Sequence, residues 1–253
     1  KKIRSLLKQV GFIRRLYLKK IPKINIPTEL GSVQQIQLKL EYQNLKGNHP
    51  KISDIGFKIF SQSDEDGILL YLFSVIGTNS KVVAEVCAGN GIECCSTNLI
   101  INHGWHGVLI DGDKDLLEQG TRFYQKHRNT YMFKGRSPLL KNAWVTRDNI
   151  DQLIPANADL LIVDLDGIDY WAWQAVTARP RVVVVEYKTK LGLRSVTAPY
   201  SPNFSNEGTV LYGASLPALV KLGQLKGYRF VGAIGFCKRS NWLRDNLGIA
   251  TRL

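Results

Sequence analysis

From residue 82 onward, short runs made almost entirely of apolar residues alternate with longer stretches in which apolar residues recur every three or four positions. A short apolar run between turn residues suits a strand buried on both faces, and the three-to-four spacing suits a helix packed along one side. The runs predict strands at 82–86, 108–110, 131–133, 160–163, 182–185 and 230–233, with Trp242 and Leu243 in a closing strand. The intervening stretches predict helices at 93–102, 114–126, 147–153, 170–178 and 215–226. Strands that alternate with helices need crossover connections, so the expected fold is α/β: a doubly wound, mostly parallel sheet with helices on its faces.

Upstream the pattern changes. Ile3, Leu6, Leu7, Val10, Ile13, Leu16 and Leu18 recur at helical spacing and stop before Pro22, which predicts an amphipathic helix. Residues 24–50 carry a weaker pattern with a short helix at 33–45. The expected organisation is a helical arm with its connecting segment, residues 1–50, followed by an α/β domain, residues 51–253. Charge sharpens this division: of the formal net charge of +13, nine positive charges precede the first acid, Glu29, and the rest of the chain contributes only +4. A basic amphipathic arm over residues 1–23 suits an anionic membrane surface, a groove on a partner protein, or nucleic acid. It equally suits a helix docked on its own domain by the apolar stripe. No run of roughly 18 apolar residues is present to span a bilayer. Cys87, Cys94, Cys95 and Cys237 lack the paired spacing of a zinc site, and no secretory signal is visible. The expectation is a cytoplasmic protein, peripheral at the membrane where the arm engages one.

Candidate chemistry begins at Lys81-Val-Val-Ala-Glu-Val-Cys-Ala-Gly-Asn-Gly91, where an apolar strand delivers an acid, then a tight glycine-bearing turn, then a helix. In doubly wound folds ligands bind at the carboxyl edge of the sheet, and small residues in the first turn let them approach the backbone. Asp111 lies twenty residues after Gly91, directly after the strand at 108–110, where a carboxylate can accept hydrogen bonds from both hydroxyls of a ribose. A dinucleotide fingerprint on Gly89 and Gly91 would need a third glycine at position 94, which is Cys94. The acid-x-Gly-x-Gly-x-Gly pattern fits better, with Glu85, Gly89 and Gly91 in place and Cys87 where the first glycine would stand. This resembles motif I of the class I S-adenosylmethionine-dependent methyltransferases, which implies a Rossmann-like core with S-adenosylmethionine as cofactor. Ala88 and Gly112, beside the same two turns, join Glu85, Gly89, Gly91 and Asp111 as candidate cofactor contacts.

Two further segments narrow the resemblance. Phe60-Ser-Gln-Ser-Asp-Glu-Asp-Gly-Ile-Leu69 is similar to the segment that precedes motif I in FkbM-like methyltransferases. Tyr212-Gly-Ala-Ser and Lys226-Gly-Tyr-Arg-Phe-Val-Gly232 are similar to their C-terminal helix–strand unit. The resemblance covers roughly residues 57–247 and implies that Gln62, Ser63 and Glu65 lie beside the cofactor. The acids at 64–66 also suit the first turn of a helix continuing through Tyr71.

A second cluster, Asp164-Leu-Asp-Gly-Ile-Asp169, follows the strand at 160–163. Alternation puts Asp164 and Asp166 on one side of an extended backbone, and Gly167 lets the chain turn so that Asp169 can return towards them. Three carboxylates could hold Mg²⁺ or Mn²⁺, or supply a general base. In the alternative, Asp169 caps the following helix and Asp164 faces the cofactor. The FkbM-like resemblance implies that acids at this strand end orient substrate hydroxyls, in some members with a metal. Glu186 follows the strand at 182–185 as a further candidate catalytic, metal or substrate contact, and Lys188 puts a cation beside it that could stand in for part of a metal's charge. His103 and His106 flank Trp105 away from this edge and read as structural. The residues 191–213 form a long loop whose Tyr200, Phe204 and Tyr212 either stack on a sugar or pin the loop down. The expected function is O-methylation of a carbohydrate or glycan-like hydroxyl, with Asp164, Asp166 and Glu186 as catalytic candidates. An RNA methyltransferase, or a degenerate methyltransferase-like subunit serving in assembly, are the alternatives.

Overall fold

The computed structural model describes residues 29–127, 137–202, 212–234 and 246–252. The chain divides into two compact units, Lys1–Leu38 and Lys39–Leu253. The described part of the first is the start of helix α1 (Glu29–Gln43). The basic arm, the strand expected at 131–133, and Trp242 and Leu243 lie outside the described residues.

The second unit is built on seven strands: β1 (Val82–Val86), β2 (His106–Asp111), β3 (Leu139–Asn142), β4 (Leu160–Val163), β5 (Val182–Tyr187), β6 (Tyr228–Ile234) and β7 (Asn246–Arg252). They lie in the order β3-β2-β1-β4-β5-β7-β6. The first five run parallel, and β7 is antiparallel to both its neighbours. Helices α2 (Glu65–Ile76), α3 (Thr97–His103), α4 (Lys114–Lys126), α5 (Ile150–Leu153), α6 (Asp169–Ala175) and α7 (Leu216–Leu225) complete the domain. The α/β expectation holds, and its physical basis is burial: every residue of β1, β4 and β5 is buried, so alternation vanishes and the strands are apolar throughout but for Glu85 and Glu186. Each such Val, Leu or Ile contributes roughly 1.5–3 kcal/mol by leaving water.

Three elements differ from expectation. Strand β3 forms at Leu139–Asn142, an edge strand whose end residues are exposed, so its sequence carries no apolar run. Helix α3 starts at Thr97 rather than Glu93, and the amides of Cys95 and Ser96 just ahead of it donate to the Glu85 carboxylate. Helix α2 runs on to Ile76 and stops at Gly77, whose φ of 75° ends the helical path. The described helices include none long and apolar enough to cross a membrane.

The sheet reverses its winding between β1 and β4. From β1 the chain builds outward through β2 and β3, then crosses back to β4 on the other side. Such a reversal leaves a crevice at the carboxyl ends of the two central strands.

Candidate active site

The crevice is present as a cavity of about 290 Å³, close to the lower end of the roughly 300–1,000 Å³ usual for small-molecule sites. Its walls come from four places: the 62–65 segment, the turn after β1 with the loop leading to α3, Leu116 of α4, and Ile162 and Asp164 of the β4 end.

The turn after β1 is set by backbone geometry. Cys87, Gly89 and Gly91 have φ values of 60°, 57° and 66°. The position where the glycine pattern is broken therefore adopts the glycine conformation all the same, with a cysteine bearing the strain. A side-chain carbon on Gly89 would meet nothing within 4 Å, so its bare backbone faces open space beside the cavity; on Gly91 it would stand 2.7 Å from Leu109. Helix α4 approaches so closely that a side chain on Gly120 would lie 2.2 Å from the Asn90 carbonyl oxygen.

Carboxylates hold these parts together. Glu85 accepts hydrogen bonds from the amides of Cys95 (3.1 Å) and Ser96 (3.0 Å) and from the Ser96 hydroxyl, tying β1 to the start of α3. Burial pushes its carboxyl above the ordinary value against those hydrogen bonds. Asp111 accepts from Gly89 N (2.7 Å) through one oxygen and from Asp113 N (2.7 Å) through the other, so it braces the glycine turn. Asp66 accepts from three successive amides, Ile59 (2.6 Å), Phe60 (2.6 Å) and Ser61 (3.0 Å), and so anchors the segment that reaches the cavity. Within it, Ser63 N donates to Glu65 (2.7 Å) and Lys58 pairs with Glu93 across the rim (3.4 Å). Cys87 is exposed, yet desolvation and then the charges of Asp111, Asp164, Asp166 and Asp169 push its thiol upward. This edge of the sheet is thus strongly negative.

Of the residues expected to contact a cofactor, Gln62, Ser63, Glu65, Glu85, Ala88, Gly89 and Asp164 all line the one cavity. Gly91 supports the turn from behind. Asp111 adjoins it through its hydrogen bond from Gly89, and Gly112 is exposed beside the Trp144 ring, which would stand 2.8 Å from a side chain placed there. Trp144 is 67% exposed and had not been singled out in the sequence; its signal was a tryptophan just beyond an edge strand.

The second cluster is rearranged. Asp164, Asp166 and Glu186 bring one carboxylate oxygen each within 4.8 Å of one another, a spacing suited to a metal ion. Asp169 does not join them: fully buried, it accepts from Leu165 N (2.6 Å) and Gly167 N (3.0 Å) and closes the turn ahead of α6, with Ile168 as the residue before the helix. The expected trio of Asp164, Asp166 and Asp169 is therefore corrected at its third member, because the turn's own amides claim that carboxylate. Asp166 is held with φ at 55° and is half exposed, whereas Glu186 is wholly buried. Lys188 lies among these acids, hydrogen-bonded to Glu186 and 3.7 Å from Asp166. Its ammonium supplies one positive charge against the three carboxylates and contacts two of them.

Three of the remaining candidates are held within the fold. His103 is buried, and desolvation with Lys39 and Lys81 holds it down at about 3, so it stays neutral. Tyr200 is pinned by Arg147 N (3.3 Å) and by the Arg147 guanidinium 4.3 Å over its ring. Tyr212 lies under Lys188, 4.7 Å from the ammonium, and Phe204 lies outside the described residues.

No family model and no curated protein matches the sequence. In three dimensions the chain is similar to magnesium protoporphyrin IX methyltransferase from Synechocystis PCC 6803 with bound S-adenosylmethionine, with a TM-score of 0.52, 12% identity, and 99% of this chain and 95% of that one covered. It is similar to the same enzyme with bound SAH at a TM-score of 0.51 and 12% identity, over 86% of this chain and 94% of that one. At such identity the likeness is one of fold alone: a Rossmann-like, mostly parallel sheet shared with that enzyme. The resemblance to the FkbM-like family rests on the sequence segments alone.

Proposed function

We propose that the chain is an S-adenosylmethionine-dependent O-methyltransferase of FkbM-like type whose acceptor is a hydroxyl of a carbohydrate or glycan-like molecule. The observation that carries this reading is the acid-lined cavity at the β1/β4 reversal, with glycine backbone open on one wall and the carboxylates of Glu65, Glu85 and Asp164 around it. A cavity with bare backbone on one side and negative charge on the others suits a cationic sulfonium carried on a nucleoside. Asp111, bonded to Gly89 of the cavity wall, and Gly112, beside Trp144, are the contacts assigned to the ribose and base in this reading.

When bound, S-adenosylmethionine supplies an electrophilic methyl group: its carbon–sulfur bond breaks with the electron pair left on sulfur as a carbon–oxygen bond forms. The chain's own part is to position the acceptor and take its proton. Asp166 is the base, since it is the exposed member of the acidic group, and Asp164 orients the hydroxyl from the cavity wall. Glu186, wholly buried, sets the position of Lys188. The basic N-terminal segment holds the enzyme at an anionic, membrane-linked acceptor.

Incubation with methyl-labelled S-adenosylmethionine and a panel of free sugars, lipid-linked glycans and RNA tests the acceptor class. Label is expected in the glycan fraction at neutral pH, with Asp166→Asn lowering kcat by on the order of 10²–10⁴-fold at little change in cofactor affinity. Label in RNA would move the reading to nucleic acid.

A further inference from the structure

We propose that Lys188 is a built-in cation that takes the place of a divalent metal in the Asp164–Asp166–Glu186 group, so that this site excludes metal ions and works without them. Three observations converge on it. The three acids lie close enough together to share one cation. The Lys188 ammonium contacts two of them, Glu186 by a hydrogen bond and Asp166 at 3.7 Å. The side chain is also built in: it is only 12% exposed, with the Tyr212 ring 4.7 Å from its ammonium. Gly213, at φ 73°, comes so close that a side-chain carbon there would stand 2.8 Å from Lys188 Cγ. The backbone fixes the same stem, because Lys188 N donates to Ala214 O (2.8 Å) and Gly213 N to Gly167 O (3.1 Å), which laces the strand β5 exit to the turn carrying Asp166.

The physical consequence follows from charge. A dication entering the group would have to displace the Lys188 ammonium from Glu186, which has no access to water, and so would exchange one ionic contact for another rather than add one. An ammonium and a dication at hydrogen-bond range of the same carboxylates repel each other strongly in a partly desolvated site. Lysine also donates three hydrogen bonds from one point, enough to serve several carboxylates at once. The inference concerns the cation alone, and its test is read without turnover, so it stands or falls separately from the methyl-transfer reading.

The experiment is a Mn²⁺ titration of the full chain, followed by electron paramagnetic resonance and by melting temperature, for the wild type, Asp166→Asn, Lys188→Met, Lys188→Gln and the double variant Lys188→Met/Asp166→Asn. The wild type is expected to bind no Mn²⁺ at this site. Lys188→Met is expected to bind it at least about tenfold more tightly and to melt higher when Mn²⁺ is added, with the gain lost in the double variant. Lys188→Gln, which keeps a polar end, reads the same way should the methionine variant not fold. Saturable Mn²⁺ binding by the wild type that Asp166→Asn abolishes would overturn the proposal. So would a folded Lys188 variant that gains no affinity.

Discussion

At the scale of single residues, Cys87 shows how backbone geometry outlasts a change of side chain. Its φ of 60° costs a residue with a Cβ about 1–2 kcal/mol, which glycine would not bear. Cys87→Gly is therefore expected to stabilise the protein by about 1 kcal/mol, after allowance for the extra freedom of glycine in the unfolded chain. Urea unfolding measures this; a loss of stability would mean that cysteine packing outweighs the strain.

Asp66 makes a second residue-scale prediction. Burial pushes its carboxyl up to about 6 in the folded protein from an ordinary 3.8. A carboxyl raised on folding contributes stability that is fully present below the unfolded value and is lost as pH rises through the folded one. Asp169, pushed up to about 6 by burial, acts in the same window. Asp66→Asn should remove a contribution that is about 2 kcal/mol larger at pH 4.5 than at pH 7. Unfolding curves at the two pH values check it, and equal pH slopes in wild type and variant would contradict it.

Among elements, the contact between α4 and the glycine turn is the most exacting. With the Asn90 oxygen 2.2 Å from where a side chain would begin, Gly120→Ala forces the helix from the turn, at a cost of about 1–3 kcal/mol. Cofactor affinity should fall with it, although Gly120 lies outside the cavity; calorimetry on the folded variant measures both effects. Element positions were legible where burial was complete: β1 and β4 are found at the residues where apolar runs predicted them. Strand β3 was not, because an edge strand keeps polar and exposed positions and leaves no run to read. The role of Asp169 was hidden for another reason. Spacing tells which carboxylates are near one another, but not which backbone amides claim them first. Glu186 and Lys188 were legible as a charged pair after a strand, while their place beside Asp166 depends on the parallel pairing of β4 with β5.

For the whole molecule, the uneven charge predicts how the chain meets its acceptor. Nine positive charges before Glu29 should bind vesicles containing phosphatidylglycerol, with binding lost on moving from about 50 to 500 mM salt as screening shortens from roughly 14 to 4 Å. Deleting residues 1–23 should abolish vesicle binding and leave cofactor binding intact. Co-sedimentation separates this from docking of the arm on its own domain, which would leave both forms soluble.

The sheet reversal between β1 and β4, the glycine turn and the surrounding carboxylates all converge on one claim, that a methyl-donor cofactor binds in that cavity. Calorimetric titration with S-adenosylmethionine, alongside NAD and the variant Asp164→Asn, tests it most directly. Saturable binding of S-adenosylmethionine, none of NAD, and an affinity about tenfold or more lower in Asp164→Asn are the predicted results, as expected for loss of a charged contact. A folded protein that binds no S-adenosylmethionine would contradict the account and leave an assembly subunit built on a methyltransferase fold.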